Sequence, residues 1–176
     1  MQKVKRLFLY TALMVFCCAQ KPVTPPKHIN WISLEQAAGN LSREKKPVLI
    51  DLYTDWCGWC KVMDKKTYSN AQVADYVSAK FYAVRINAET REQLSWNSKT
   101  YGFNPNYRSN DFAVYLTHGQ LEFPTTIFIP AEGGEPQAIP GYMTPKDFEL
   151  LVKYFGEGAY GRIPFEEYRK DFKASW

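Results

Sequence analysis

The chain has 176 residues, 45% of them hydrophobic, with 22 basic against 18 acidic side chains. That length suits one ordinary domain with enough chain for a real core. A formal charge of +4 is too even a balance to suggest a nucleic-acid partner or an anionic membrane surface.

Lys3, Lys5 and Arg6 open the chain, and the apolar stretch Leu7 to Phe16 follows. This is the pattern of a secretory signal, and the stretch is too short to span a bilayer. Cys17 and Ala19 put small residues at the minus-three and minus-one positions of a cut before Gln20. Residues 1–19 are therefore expected to be a signal peptide, and the protein periplasmic or secreted, with no stable membrane insertion after cleavage. A lipid anchor through Cys17 or Cys18 is the alternative, although Phe16 fits a lipoprotein cleavage box poorly. A buried N-terminal helix is disfavoured by the polar, proline-rich run from Gln20 to Lys27, and residues 20–30 read as a linker. Cleavage removes three of the 22 basic residues and two of the four cysteines, leaving Cys57 and Cys60.

Ser33-Leu34-Glu35-Gln36 has the form of a capping box, opening a helix through Ala37, Ala38 and Leu41 that ends near Arg43 to Lys46. Pro47 to Tyr53 reads as a central strand, apolar on both faces. A helix follows Cys57 with Val62 and Met63, and Ser69 or Asn70 caps another with Val73, Tyr76 and Val77 inward. Phe81 to Asn87 alternates as a strand. Strands alternating with helices argue a mainly parallel α/β sheet. Thr90 to Tyr101 is expected to be helical and to stop at Gly102, and Asn104 to Asn110 is turn-rich. Asp111 to Leu116 reads as a short helix capped by Asn110 and stopped by Gly119. Thr125 to Ile129 is a strand, Glu132 to Glu135 a hairpin turn, Pro136 to Ile139 an edge strand, and Pro145 to Phe155 a closing helix. Phe165, Tyr168, Phe172 and Trp176 recur close to helical spacing, a pattern that usually means packing rather than a partner site.

The pentapeptide Trp56-Cys57-Gly58-Trp59-Cys60 decides the chemistry. Where a strand stops and a helix begins, the first cysteine sits at the unpaired amide end and the second lies one turn inside. Side chains three apart share a helix face, and the helix dipole favours thiolate at the outer position. That makes a reversible redox pair. A passive structural disulfide would gain little chain entropy from so short a loop. A zinc pair would need further ligands, and beyond the cysteines only His28 and His118 stand out. His118 follows an apolar helix and reads as a helix-end residue, so a cysteine-hydrolase reading is weak.

With Asp51 six residues before Cys57, C-x-x-C at a strand-to-helix junction, Arg85-Ile86-Asn87 on the next strand, Phe123-Pro124-Thr125 before a third and Gly141 after a fourth, the chain resembles the thioredoxin superfamily. The stretch Lys46 to Cys57 is especially similar to the C-terminal thioredoxin-like domain of periplasmic thiol:disulfide interchange reductases. The resemblance covers roughly residues 31–155 and implies a thioredoxin fold. That fold is α/β, a central mixed sheet flanked by helices, here with a long insert (about 88–120) before the cis-proline strand and a C-terminal extension (156–176). Trp59 stands where thioredoxin has proline, and Ala88 to Gln120 exceeds the family's usual connection, which puts redox poise and partner choice in question.

The resemblance implies that Cys57 is the exposed nucleophile and Cys60 the shielded resolving thiol of a redox-active disulfide. Asp51 is the one charge inside an apolar strand. Burial would raise its pKa, and the resemblance assigns it as proton acceptor for Cys60. If Leu49, Asp51 and Tyr53 share a face open to solvent, it is merely solvated. Arg85 either holds Asp51 electrostatically or is an exposed strand arginine. Pro124 is implied to be cis beside the disulfide, with its neighbours' backbone, including Thr125, free to pair with a substrate strand. Trp56, Trp59 and Phe123 would form an apolar collar for peptide docking, unless they are ordinary core.

The implied function is an exported thiol–disulfide oxidoreductase that reduces protein disulfides by a Cys57/Cys60 cycle, with no cofactor and no metal. Its partners would be protein or peptide thiols and disulfides, and an upstream electron-donor or acceptor protein. An oxidase or isomerase of the same fold is the alternative, as is a non-catalytic thioredoxin-fold binding module.

Overall fold

A computed structural model describes residues 28–176, so the expected signal peptide and most of the linker lie outside the described residues. A five-stranded sheet organises the chain, in the order β1 (Trp31–Ile32), β3 (Tyr82–Asn87), β2 (Val48–Tyr53), β8 (Thr125–Ile129), β9 (Gln137–Pro140). β1, β3 and β2 are mutually parallel, whereas β8 runs antiparallel to both β2 and β9. The sheet is thus mixed, as the family resemblance implies. The mainly parallel sheet expected from alternation holds only for β1, β3 and β2: β8 enters antiparallel to β2, and the turn after Ile129 then reverses the chain onto β9. β1 is only two residues long and carries too little pattern to be read from sequence.

Alternation along β2 divides the core. Leu49 packs with Met63, Val73, Val77, Phe128, Phe148 and Val152 on one face. Val48, Ile50 and Leu52 pack with Leu34, Ala37, Phe112, Leu116 and Ile127 on the other. The first face is covered by α2 (Gly58–Met63), α3 (Ala71–Lys80) and α5 (Pro145–Gly156), the second by α1 (Leu34–Leu41) and α4 (Asp111–Leu116). α1 starts at the expected box, with the Gln36 amide donating to Ser33 Oγ and the Ser33 amide to Gln36 Oε1. It ends at Leu41, earlier than expected. α2 continues as one π-helical turn over Asp64–Tyr68. Among the described residues no helix is long and apolar enough to cross a membrane.

The insert departs most from expectation. Thr90 to Tyr101 is not a helix: β4 (Leu94–Trp96) pairs antiparallel with β5 (Lys99–Tyr101). Asn97 and Ser98 turn this hairpin with φ of 49° and 62°. Two consecutive left-handed residues match the twist of a tight hairpin, and Asn tolerates that region better than most residues. Tertiary packing adds to this, since Trp96 and Tyr101 both lie against the Phe112 ring. A second small hairpin joins β6 (Phe103–Asn104) to β7 (Ser109–Asn110). The fully buried Asn110 caps α4 as expected. It also closes the insert on itself, donating from Nδ2 to the Glu92 carbonyl at 2.9 Å and from its amide to the Ala88 carbonyl at 2.7 Å.

The C-terminal segment forms α6 (Phe165–Asp171) and then folds back onto α5. Its anchor is Glu149, fully buried on α5. That carboxylate accepts from Lys153 Nζ at 2.6 Å, from the Ser175 amide and hydroxyl, and from the Trp176 amide at 3.0 Å. Burial alone would raise the Glu149 pKa, but these donors outweigh it and hold the group at about 2. A pKa depressed from 4.5 contributes stability above that value, lost as pH falls towards 2. Deleting residues 173–176 should therefore lower the unfolding free energy by about 3 kcal/mol at pH 7, because it strips donors from a buried charge. Urea midpoints check this: the loss should shrink as pH falls from 5 towards 2 and in a Glu149→Gln background, and an equal loss in both backgrounds would rule out the clamp.

Candidate active site

β2 delivers the chain to a short loop, Thr54 to Trp56, in which the Cys57 amide donates to the Thr54 carbonyl at 3.1 Å. Cys57 is the N-cap of α2, and the Cys60 amide donates to its Sγ at 3.0 Å. The first amides of a helix have no intrahelical acceptor, so a sulfur at the cap takes one of them. The three-residue spacing brings the two side chains to one side of the first turn. They form a disulfide with Cα atoms 5.3 Å apart. The expected exposure of Cys57 is corrected: both cysteines are 5% exposed. The asymmetry between them lies in position, since only Cys57 caps the helix.

Asp51 is buried on β2, so the solvated alternative is overturned. Arg85, on β3 in register with Asp51, donates from Nε to Asp51 Oδ2 at 3.0 Å. Its Nη1 lies 3.3 Å from Asp64 Oδ1, at the junction of α2 and the π-turn. The guanidinium also stacks over the Trp31 and Tyr53 rings, at 5.5 and 5.1 Å. Tyr68, from that π-turn, donates to Asp51 Oδ1 at 3.4 Å and lies 3.2 Å from Thr126 Oγ1. Burial pushes the Asp51 pKa up from 3.8 to about 6, with Arg85 opposing it. Burial also raises the Tyr68 phenol well above its usual value. Asp51 is thus a carboxyl that can change protonation near neutral pH, on the sheet face that α2 and the π-turn cover.

The Phe123–Pro124 peptide is cis and leads directly into β8, and the Pro124 carbonyl accepts from the Gly141 amide at 2.8 Å. Gly141 has φ of +97°, a conformation that favours glycine. Trp56 and Trp59 are not core: they are 66% and 62% exposed. Trp56 meets Phe123 edge-on at 5.9 Å, and Trp59 lies 5.6 Å from the Tyr142 ring. The collar therefore holds Trp56, Trp59 and half-buried Phe123, joined by Tyr142, which sequence reasoning missed. Thr125 does not belong to its exposed part. It is buried between β2 and β9, and its hydroxyl donates to the Glu122 carbonyl at 2.6 Å. Glu89 was also missed; its Oε1 accepts the Trp56 indole N–H at 3.1 Å. His118 lies at the end of α4 with Nε2 3.2 Å from the Pro136 carbonyl, a contact that ties two loops together.

Comparison with known proteins agrees with this geometry. The sequence profile of the thioredoxin-like domain matches residues 34–156. The chain is 29% identical over 135 residues to the thiol:disulfide interchange protein DsbD of Citrobacter koseri, covering 76% of this chain and 20% of that protein. It is 30% identical over 110 residues to DsbD of Escherichia coli K12, covering 61% and 16%. The chain spans about a fifth or less of the length of these curated relatives. Among solved structures, the DsbH oxidoreductase superposes with a TM-score of 0.55 at 16% identity, over 79% of this chain and 91% of that one. A thioredoxin from Thermus thermophilus gives 0.51 at 17% identity, over 78% and 99%. These two likenesses are of fold. The chain belongs to the thioredoxin-like family.

Proposed function

We propose that this member of the thioredoxin-like family is an exported thiol–disulfide oxidoreductase that reduces disulfides in protein or peptide substrates. The observation that carries the reading is the disulfide closing the first turn of α2 with Cys57 at the cap, where a helix amide reaches its sulfur. A thiolate at that position is stabilised by the amide and by the helix dipole. In the reduced protein, Cys57 thiolate attacks a substrate disulfide, forming a mixed disulfide and releasing one substrate thiolate. Cys60 then loses its proton to Asp51 and attacks Cys57 Sγ. The second substrate sulfur leaves as a thiolate, the Cys57–Cys60 disulfide forms, and Asp51 passes its proton on to solvent, so two electrons have passed to the substrate. A dithiol donor protein must reduce the pair again.

The DsbD relatives are named for thiol:disulfide interchange, which supports exchange chemistry, and the similarity of Lys46 to Cys57 to the reductase domain supports the reducing direction. The test is insulin reduction at a limiting supply of dithiothreitol. Acceleration well above dithiothreitol alone is expected. No acceleration would favour a non-catalytic binding module, and catalysed oxidation of reduced substrates instead would favour an oxidase or isomerase.

Export is supported by the basic start, short apolar run and small residues at Cys17 and Ala19. N-terminal sequencing of protein made in its native host should find Gln20 first. Soluble cytoplasmic protein with Met1 intact would overturn export, and a lipid-modified cysteine would establish the anchored form.

A further inference from the structure

Beside the disulfide, the insert walls a groove of about 460 Å³, lined by Trp56, Glu89, Tyr107, Arg108, Leu121 and Phe123 among others. Two of these are chain neighbours of the redox machinery: Trp56 precedes Cys57 and Phe123 precedes the cis Pro124. The groove is therefore walled by residues one step along the chain from Cys57 and from Pro124, and it extends to the turn between β6 and β7 of the insert. Its inner wall is held in place. The Trp56 indole donates to Glu89, the Glu89 amide donates to Asn87 Oδ1 at 2.9 Å, and Asn87 Nδ2 donates to Asp55 Oδ2 at 3.0 Å. The loop that carries Trp56 is thus bonded once to the start of the insert, at Glu89, and once to the end of β3, at Asn87.

The outer wall is aromatic and cationic. Tyr107 is 50% exposed, and Arg108 beside it is exposed at the turn between β6 and β7, with φ of 52°. Among the described residues Arg108 forms no ion pair. The groove's carboxylate, Glu89, is already engaged by an indole. Glu89 keeps its charge but forms no ion pair with Arg108 among the described residues, so the groove's one cation is a guanidinium whose fork matches an incoming carboxylate in two parallel hydrogen bonds. Trp56, Phe123, Leu121 and Tyr107 offer apolar and aromatic surface around it.

We propose that this groove docks an extended segment of a disulfide-bonded client, setting an apolar side chain against Trp56 and Phe123 and an acidic side chain on Arg108. The insert thereby selects clients with Asp or Glu close to the cysteine under attack. The proposal rests on the thiol–disulfide reading, and its test is arranged to stand apart from turnover. Peptides are made in twin form, one with Asp and one with Lys at each position flanking a cysteine. That cysteine is replaced by serine, so no exchange can occur. Binding is followed by Trp fluorescence and by NMR shifts of the Trp56 indole.

Wild-type protein should bind the best acidic peptide about fivefold more tightly than its basic twin, the scale of one partly exposed ion pair. Arg108→Glu should reverse that preference, and Arg108→Lys should keep its sign at reduced size, since an ammonium keeps the charge but not the fork. Equal affinity for the twins, or a preference unchanged in Arg108→Glu, would overturn the groove whether or not the protein reduces insulin. Conversely, a charge preference in a protein that fails to reduce insulin would uphold the groove and defeat the reductase reading.

Discussion

Replacing Cys60 by serine should accumulate mixed disulfides between Cys57 and client proteins in the native host, while Cys57→Ser should accumulate few, and both variants should fall to background in insulin reduction. The two cysteines are equally buried, so exposure cannot be the source of the difference. Position is. Cys57 caps the helix and its sulfur receives the Cys60 amide at 3.0 Å, which stabilises negative charge there and at no comparable place on Cys60. Cys57 is also flanked by the exposed Trp56, and one residue before Cys60 stands the exposed Trp59. Once the mixed disulfide forms, only the thiol one turn inside is placed to resolve it, and serine cannot. Non-reducing gels with mass spectrometry read the outcome and identify the clients. Equal trapping by both variants would show that the asymmetry is wrong, and trapping by neither would favour the binding-module reading.

What could be read in advance was local. The box at Ser33 and Gln36, the Asn110 cap and the run of apolar residues before Cys57 each depend on neighbours within a few residues, and each appears in the structure where the pattern put it. The hairpin at Leu94 to Tyr101 was misread although its turn signal was local. Asn97-Ser98 is less distinctive than Asn-Gly, and what holds the hairpin down is Phe112, more than ten residues later. The parts of the site that went unseen are all long-range. Glu89 reaches Trp56 across 33 residues and Tyr142 meets Trp59 from beyond β9, as Ser175 reaches Glu149 across 26 outside the site, and no periodicity encodes such contacts. Thr125 was offered for a backbone free to pair with substrate, but that backbone lies between β2 and β9, opposite Leu52 and Pro140, a placement that its position next to Pro124 does not reveal. Asp51 lay between the two cases. A lone carboxylate in an apolar strand announces a buried charge, with Arg85 as one of two readings for its partner, but only the structure decides for Arg85 and adds Tyr68 and Asp64 around it.

That environment sets the largest effect expected away from the cysteines. Asp51→Asn should slow turnover by about 10²-fold, the usual contribution of one positioned proton acceptor, while leaving the rate of Cys57 alkylation nearly unchanged. The pH profile separates this from a structural defect. With a pKa of about 6, wild-type Asp51 is ionised and able to accept the Cys60 proton above neutrality, and turnover should fall as pH drops through 6. The variant should show no such step. Stability should move the opposite way, and the sign follows from the direction of the shift. A carboxyl whose pKa is raised from 3.8 to about 6 on folding prefers its proton in the folded state, so its contribution is full below pH 4 and is lost as pH rises through 6. Removing the charge should therefore stabilise the oxidised protein above pH 7. The shift of about two pKa units sets an upper limit of ~3 kcal/mol, less whatever Arg85 loses with its partner. The gain should vanish near pH 4, where wild type is already neutral. Denaturant titrations of both oxidised proteins at pH 4 and pH 8 measure the difference. Equal stability at both pH values would mean that Asp51 is not held as a costly buried charge, and unchanged turnover across pH 6 to 9 would remove it from the proton path.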